Sequence, residues 1–215
     1  MRLIAETLSV RRGDDLLFSN VSFTLGEGEA LVVTGRNGSG KSTLLRTVAG
    51  LIRPESGNVR LAGHKPESEA TVAGSSHYLG HRNAMKQELT VAENLTFWKR
   101  WLGDVAEGKG LGIGEAAEAV GLGGITHLPY GYLSAGQQRR FAMARLIVAH
   151  RPIWILDEPT AALDASADAL FAGLVEDHLS KGGIVLAATH QPLGLAKAME
   201  LKMTGFSYAE EEFAA

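Results

Sequence analysis

The chain contains no cysteine, which excludes disulfide bonds and metal sites built on thiolates. It also lacks any apolar run near the ~20 residues that a membrane-spanning helix requires. Its longest apolar runs, such as IWIL and IVLAA, have the length of strands. The opening segment MRLIAETLSV has no apolar core of the kind found in secretory signals, so we expect no signal peptide there. Any role at a membrane must therefore be exercised through a partner.

A concentration of charge of one sign is missing as well. The chain has 21 basic and 24 acidic residues, a formal net charge of −3, and its lysines and arginines are scattered. No electrostatic footprint for nucleic acid is present, and we expect no such partner. With 215 residues, 45% of them hydrophobic, the chain suits one packed domain over residues 1–215.

Apolar periodicity predicts an α/β fold. Strands are predicted at residues 3–10, 16–25, 29–34, 57–62, 75–80, 153–157 and 184–189, and helices at 41–49, 91–102, 115–120, 135–149 and 166–180. The later strands are continuously apolar and alternate with helices, which favours a parallel sheet covered on both faces. We expect an antiparallel β subdomain from the opening strands and an inserted helical subdomain at about 88–150.

Residues 35–43 read GRNGSGKST and match the phosphate-loop pattern G-x-x-x-x-G-K-[ST] between a predicted strand and a predicted helix. Glycines let backbone N–H groups turn toward a phosphate, and the helix N-terminus adds partial positive charge. A tight turn with a surface lysine is the alternative, but pattern and context agree on the site. The predicted ATP-binding residues are Gly35, Arg36, Asn37, Gly38, Ser39, Gly40, Lys41, Ser42 and Thr43. Lys41 would bridge two phosphates, and Ser42 would ligate Mg²⁺.

Two acidic residues end the apolar strand IWILDE. Asp157 is predicted to hold Mg²⁺, and Glu158 to accept the proton of the attacking water. His190 ends another apolar strand, and we expect it to contact the γ-phosphate. Strand ends often carry polar residues only because solvent begins there, so these assignments depend on the phosphate loop upstream.

Residues 133–137 read LSAGQ, in which Ser134 and Gln137 form a capping box at the start of a helix. The string resembles the LSGGQ signature of the ABC (ATP-binding cassette) ATPases, with Ala135 in place of a glycine. The TAALD run at 160–164 is similar to the family's D-loop. The resemblance implies a P-loop ABC ATPase core and a head-to-tail dimer. Ser134, Gly136 and Gln137 would then contact ATP bound to the opposite subunit.

Two positions depart from the family's pattern. His81 stands where a glutamine usually reaches Mg²⁺ and the attacking water, and we assign it to the nucleotide site in that slot. Arg11 or Arg12 stands where an aromatic residue usually stacks on adenine. A guanidinium group can also stack on a base plane, so ATP binding is still expected.

Several longer strings resemble the ATPase subunits of the haem-handling transporter of cytochrome c maturation. They are YLGH at 78–81, ELTVAENLTF at 88–97, YLSAGQQRRFAMARL at 132–146, PIWILDEPTAALD at 152–164 and THQPL at 189–193. The resemblance implies a membrane-spanning partner, CcmB, and accessory subunits that include CcmC. It also implies a position on the cytoplasmic face of the bacterial inner membrane. The alternatives are the ATPase of another ABC exporter, or a soluble single-domain ABC ATPase such as one for iron–sulfur assembly.

We predict no haem site on this chain. His77 and His81 lie in a stretch predicted to be extended, where four residues span ~13 Å, too far to share one metal. His64, His127, His150 and His178 are expected to be surface or hydrogen-bonded residues. In the helix 91–102, Trp98 falls on the apolar stripe. Phe97 and Trp101 fall off it, either as a patch for a membrane partner or packed inside the helical subdomain.

Overall fold

A computed structural model describes residues 1–63, 70–105, 109–160, 163–189, 195 and 197–205. The strands are β1 (Arg2–Arg12), β2 (Asp15–Gly26), β3 (Ala30–Gly35), β4 (Ser56–Ala62), β5 (Ser76–Leu79), β6 (Ile153–Asp157), β7 (Ile184–Ala188) and β8 (Met199–Met203). The helices are α1 (Lys41–Val48), α2 (Val72–Ser75), α3 (Val91–Leu102), α4 (Ile113–Ala119), α5 (Ala135–Val148) and α6 (Ala165–Ser180). Short 3-10 turns lie at Gly123–Ile125 and Tyr130–Tyr132.

The strands form two sheets. An antiparallel sheet has the order β2-β1-β4, and a parallel sheet has the order β5-β6-β7-β3-β8. The expected α/β class with an antiparallel sheet beside a parallel one is therefore confirmed. In a parallel sheet all carboxyl ends lie at the same edge, where ligands bind in such folds. The carboxyl ends of β3, β5, β6 and β7 consequently lie at one edge.

The parallel sheet is buried on both faces, as its continuous apolar strands predict. In β6, Ile153 and Ile155 face one hydrophobic cluster, while Trp154 and Leu156 face the other. The first cluster includes α1 and the antiparallel sheet, and the second includes residues of α3, α4, α5 and α6. The site at the sheet edge is thus held between two separate cores.

Four helices begin at side chains that cap them, and the cap of α2 is Thr71. Thr90 and Glu93 form a capping box at α3, Ser134 and Gln137 form one at α5, and Asp164 caps α6. Each box satisfies backbone donors that a helix start leaves unpaired. No helix among the described residues combines the length and apolar character needed to cross a bilayer.

The observed elements differ from the predicted ones in few places. The helix 91–102 and the strand 153–157 have the predicted bounds, and most others shift by one or two residues. The short helix α2 and the edge strand β8 were not predicted. β8 reads MELKM, in which charged residues interrupt the apolar pattern, because only one edge of this strand pairs with the sheet. The division into subdomains at about 88–150 stays a prediction.

The side chains of α3 lie as the stripe predicts for its core face. Val91 and Leu95 are buried, and Trp98 is partly buried. Phe97 is 53% exposed and Trp101 is 73% exposed, and their rings stack with centroids 6.2 Å apart. The alternative in which these two aromatics pack inside the helical region is therefore wrong.

The histidines occupy different environments. His77 is buried in β5, where Nε2 lies 2.8 Å from the carbonyl oxygen of Ala149, while His81 is exposed in the following loop. His127 is exposed and His150 is partly buried. His178 is not a surface residue, because its ring stacks on Trp154 with centroids 4.0 Å apart. His64 lies outside the described residues.

The two buried histidines predict a loss of stability in mild acid. Burial lowers the pKa of His77 to about 3 and that of His178 to about 4. Both histidines stay neutral in the folded state between pH 7 and pH 5. In the unfolded chain the same side chains take up protons once the pH falls below about 6.5, the ordinary pKa of histidine. The contribution of the two histidines to the free energy of unfolding is therefore fully present above the pKa of the unfolded state. It is lost as the pH falls from that value toward the pKa of the folded state. Each histidine should remove about 2 kcal/mol from the free energy of unfolding between pH 7 and pH 5.

Denaturant unfolding at pH 7, 6 and 5 measures this loss, in a range above the titration of ordinary carboxylates. His178→Phe keeps the ring on Trp154 and should remove about half of the loss. His127→Phe, at an exposed position, should leave the loss unchanged. A free energy of unfolding that stays constant from pH 7 to pH 5 would contradict the prediction.

Candidate functional site

The loop between β3 and α1 forms the base of the site. Lys41, buried at the start of α1, donates from Nζ to the carbonyl oxygens of Gly35 at 2.8 Å and Arg36 at 3.1 Å. The loop is tightened by a bond from Ser39 N to Arg36 O at 3.1 Å. Residues 36–38 are exposed, and α1 starts at Gly40 with its N-terminal end in this loop. A helix N-terminus with a lysine beside it suits a polyphosphate anion.

Two features of the loop are a close backbone approach at Gly35 and an unpartnered hydroxyl at Ser39. A Cβ on Gly35, which has a φ of 140°, would lie 2.2 Å from the carbonyl oxygen of Met203 in β8. The hydroxyl of Ser39 is buried and has no hydrogen-bond partner among the described residues. A buried polar group without a partner is costly, and a phosphate oxygen would satisfy it.

Ser42 connects the phosphate loop to the neighbouring strands. Its hydroxyl donates to Oδ1 of Asp157 at 2.9 Å, across the sheet edge from α1 to the end of β6. Asp157 is only 1% exposed, so its carboxylate depends on such donors. The sequence predicts both residues as metal ligands, and the fold brings them into contact although 115 residues separate them.

Tyr78 is a site residue that the sequence reasoning missed. Its hydroxyl donates to Oδ2 of Asp157 at 3.1 Å and accepts from Nε of Arg46 at 3.2 Å. Burial raises the pKa of Tyr78, with Asp157 contributing, so the hydroxyl keeps its proton for the carboxylate. The available signal was topological, because β5 pairs with β6 in parallel and its last residues must lie beside Asp157.

The residues at this point fit a magnesium ion. A serine hydroxyl and a buried carboxylate are hard oxygen donors, which Mg²⁺ prefers. No group of three or more His, Cys, Asp or Glu side chains suited to a metal occurs in the described part of the chain. Mg²⁺ in nucleotide sites uses one or two protein ligands together with phosphate oxygens and waters, so two oxygens are sufficient here.

Glu158 follows Asp157 in an unusual backbone conformation. Its φ of 49° lies in the left-handed region, which costs a non-glycine residue about 1–2 kcal/mol. Its N–H donates to the carbonyl oxygen of Ala188 at 2.8 Å, and its own carbonyl oxygen accepts from Nη2 of Arg139 at 2.7 Å. Such strain persists only where neighbours hold it, and it concentrates at functional sites. The side chain is partly exposed at the sheet edge, where a water is accessible.

The signature residues lie at the N-terminus of α5. The Ser134 hydroxyl accepts from Gln137 N at 3.3 Å, and the Gln137 side chain accepts from Ser134 N at 2.9 Å. Ser134 and Ala135 are exposed, and Gly136 is partly exposed. The capped helix start is therefore presented to solvent, where a second molecule has access to it.

The positions that depart from the family's pattern are placed differently. His81 is exposed in the loop after β5, beside Gly80 and Asn83, which contact Arg139. Arg11 is bound to the Glu55 carboxylate at 3.2 Å and to the Asp14 carbonyl oxygen at 3.0 Å.

Arg12 is exposed at the hairpin between β1 and β2, and the stacking of Arg11 or Arg12 on adenine stays a prediction. That hairpin approaches the phosphate loop, because a Cβ on Gly40 would lie 3.2 Å from the Phe18 ring. His190 lies outside the described residues, so its contact with the γ-phosphate stays a prediction.

A phosphate loop facing an Asp-Glu pair occurs in many nucleoside triphosphatases. A helix that starts with LSAGQ, located in the sequence between the phosphate loop and the Asp-Glu pair, is characteristic of one class, the ABC ATPases. The sequence profile of that family, described as ABC transporter, matches residues 18–161 of this chain.

Curated relatives show to which group within the ABC ATPases the chain belongs. The chain is 70% identical over 210 residues to the cytochrome c biogenesis ATP-binding export protein CcmA of Agrobacterium fabrum, covering 98% of this chain and 99% of the relative. It is 53% identical to the protein of that name from Brucella melitensis, over 95% of this chain and 93% of the relative. The chain therefore belongs to the ABC transporter family and, within it, to the CcmA group of ATP-binding export proteins.

Solved structures show the same fold at lower identity. A putative ABC transporter ATP-binding protein from Pyrococcus furiosus has a TM-score of 0.76 at 21% identity, over 94% of this chain and 98% of that one. The ATP-binding cassette MJ0796, solved as a dimer in a post-hydrolysis state with ADP and Pi, has a TM-score of 0.73 at 24% identity, over 88% of each chain.

Proposed function

We propose that this chain binds and hydrolyses ATP as the ATP-binding subunit of an export complex that handles haem in c-type cytochrome biogenesis. The observation that supports the ATPase part is the contact of Ser42 in the phosphate loop with Asp157, the residue before Glu158. The relatives' names, which combine ATP binding, export and cytochrome c biogenesis, support the physiological part.

Each group of site residues has a separate role in ATP hydrolysis. The loop 35–43 and the start of α1 bind the phosphates, and Lys41 exchanges its carbonyl partners for phosphate oxygens. Ser42 and Asp157 would hold Mg²⁺, which would supply positive charge to neutralise the charge that develops on the phosphates. Glu158 takes a proton from the water that attacks the γ-phosphorus, while the bond to the ADP oxygen breaks. His190 and His81 serve the γ-phosphate end of this site.

ATP also joins two copies of the chain in this proposal. The solvent-exposed start of α5 presents Ser134, Gly136 and Gln137 to the ATP of an opposite subunit. The positive end of a capped helix favours the γ-phosphate, as it does at α1. Each ATP then lies between the phosphate loop of one subunit and the signature helix of the other.

The surface that couples ATP hydrolysis to a membrane-spanning subunit lies on α3. Phe97 and Trp101 form an exposed aromatic patch, and large aromatics of this kind anchor protein interfaces. Next to them, Trp98 donates from Nε1 to the carbonyl oxygen of Ala84 at 3.0 Å, in the loop that follows β5. The patch is thereby joined to the loop that carries His81. We assign this surface to CcmB, with CcmC as an accessory subunit, on the cytoplasmic face of the bacterial inner membrane.

Two other functions within the class are less well supported. An ATPase of another exporter, or a soluble ATPase for iron–sulfur assembly, would use the same nucleotide site. The curated relatives of high identity share the name of cytochrome c biogenesis, which favours the haem pathway over both.

The first prediction of this proposal concerns the general base. Glu158→Gln is nearly isosteric and keeps the contacts of the site, but its amide cannot take a proton. ATP should bind and accumulate in a closed dimer, while phosphate release falls on the order of 100-fold or more. Glu176→Gln, an exposed position on α6, is the matched control and should keep normal turnover. Normal phosphate release by Glu158→Gln would remove Glu158 from this role.

The same variant tests the physiological assignment. Cells whose only copy carries Glu158→Gln should lose mature c-type cytochromes while other haem proteins persist, with haem trapped on its periplasmic chaperone. Haem staining of membrane proteins beside the chaperone's haem absorbance measures both. Normal c-type cytochrome levels would refute the haem assignment and leave the ATPase assignment in place.

The second prediction concerns the dimer. Ser134→Arg should abolish ATP-dependent dimerisation, since a large cation displaces the capping hydroxyl, while monomers still bind ATP. The lost cap costs about 1 kcal/mol of stability. Ser134→Asp retains a capping oxygen but places negative charge against the γ-phosphate, and should also block dimerisation. Ser180→Arg, exposed at the far end of α6, is the control. Light scattering with and without ATP decides, and dimers of Ser134→Asp would refute the proposal.

The third prediction concerns the aromatic patch. Trp101→Ser should leave ATP binding and stability nearly unchanged, because the ring is exposed. Its affinity for the membrane subunit should fall about 30-fold, the cost of a typical anchoring residue. Leu51→Ser alters an equally exposed apolar residue after α1 and should have no such effect. Unchanged co-purification of Trp101→Ser with the membrane subunit would exclude the patch from this interface.

A further inference from the structure

Arg139 is a buried guanidinium at the centre of the catalytic edge. It lies on α5, five residues after Ser134, and is only 5% exposed. All three of its nitrogen positions are used: Nε donates to Pro159 O at 2.9 Å and Nη2 to Glu158 O at 2.7 Å. Nη1 donates to Gly80 O at 2.8 Å and to Asn83 Oδ1 at 3.0 Å.

These bonds join three parts of the site that the chain order separates. Glu158 and Pro159 follow β6, Gly80 and Asn83 belong to the loop with His81, and Arg139 itself belongs to the signature helix. All four acceptors are uncharged oxygens. Burial lowers the pKa of Arg139, so the charge is held at a desolvation cost.

The bond to Glu158 acts on the strained residue itself. The left-handed φ of 49° at Glu158 is held from one side by Ala188 O and from the other by Arg139. This backbone conformation determines where the Glu158 side chain leaves the strand. A forked group that fixes two successive carbonyl oxygens, those of Glu158 and Pro159, fixes the peptide between them.

We propose that Arg139 is a positioning residue that sets the orientation of Glu158 and ties it to the loop of His81 and to the signature helix. It touches neither ATP nor the attacking water, and acts through the backbone that it binds. A shift of α5, when the signature contacts the opposite nucleotide, is transmitted by this guanidinium to the general base and to the loop of His81. The inference rests on the proposed ATPase function and adds to it a residue that aligns the base.

A matched arginine separates this role from structural support. Arg151 is also 5% exposed and donates to three backbone carbonyl oxygens, those of Gly103, His150 and Leu102. It lies at the opposite end of β6 from Asp157. Replacement of either arginine should lower the melting temperature, but only Arg139 faces Glu158.

The test measures ATP binding and turnover of the full chain for Arg139→Gln, Arg139→Lys and Arg151→Gln. Both Arg139 variants should bind ATP within about twofold of the unaltered chain, while kcat falls about 10- to 100-fold, because the base is misaligned. Lysine fails because one nitrogen cannot span four acceptors in a fixed fork. Arg151→Gln should keep normal kcat. Normal kcat in Arg139→Lys, or equal loss in Arg151→Gln, would overturn the proposal.

A double variant shows whether Arg139 acts through Glu158. Arg139→Gln added to Glu158→Gln should cause no further loss of turnover, since both changes disable the same group. Multiplicative losses would overturn the positioning role while the ATPase function stands, whereas normal turnover of Glu158→Gln alone would overturn the function itself. If Arg139→Gln fails to fold, Asn83→Ala removes one of the four bonds from a partly exposed position. It should lower kcat several-fold at unchanged ATP binding, and an unchanged kcat would then refute the proposal.

Discussion

The hydrogen bond between the Ser42 hydroxyl and the Asp157 carboxylate is the contact on which the rest of the site depends. It joins the first turn of α1, which packs into one hydrophobic cluster, to the end of β6, which is buried on both faces. Asp157 is removed from solvent almost completely, so its charge requires donors from the protein or a bound cation. Ser42 and Tyr78 supply those donors, which aligns two strands and a helix at one edge.

Around this contact the structure places two kinds of support. The phosphate loop is shaped by close backbone approach, as at Gly35, and needs no large side chain. The hydrolytic end is shaped by buried charged groups on α5. Arg145 donates to the carbonyl oxygen of Tyr78 at 2.6 Å and lies 4.6 Å from the Trp98 ring. The helical region is thus bonded both to the catalytic edge and to the aromatic patch on α3.

This arrangement would connect the contact sites of the two partners that we propose for the chain. In the proposed assembly, a membrane subunit at Phe97 and Trp101 would act on a helix whose Trp98 is bonded to the loop after β5. In the same assembly, a second ATPase subunit would contact α5, whose Arg139 is bonded to the same loop and to Glu158. Packed elements of this kind move as units, because dense cores transmit strain rather than absorb it.

The sequence by itself determined the motifs and most of the elements. The spacing of glycines, lysine and serine in the loop 35–43 is sufficient to predict phosphate binding. The strands β6 and β7 can be predicted because both of their faces are apolar. The sequence did not disclose Tyr78 or Arg139 as site residues. A tyrosine in a strand and an arginine in a helix carry no local pattern, and their roles arise only when parallel pairing and helix packing bring them to Asp157 and Glu158. Tertiary structure also decided the strain at Glu158 and the exposure of Trp101, since both depend on neighbours distant in the chain.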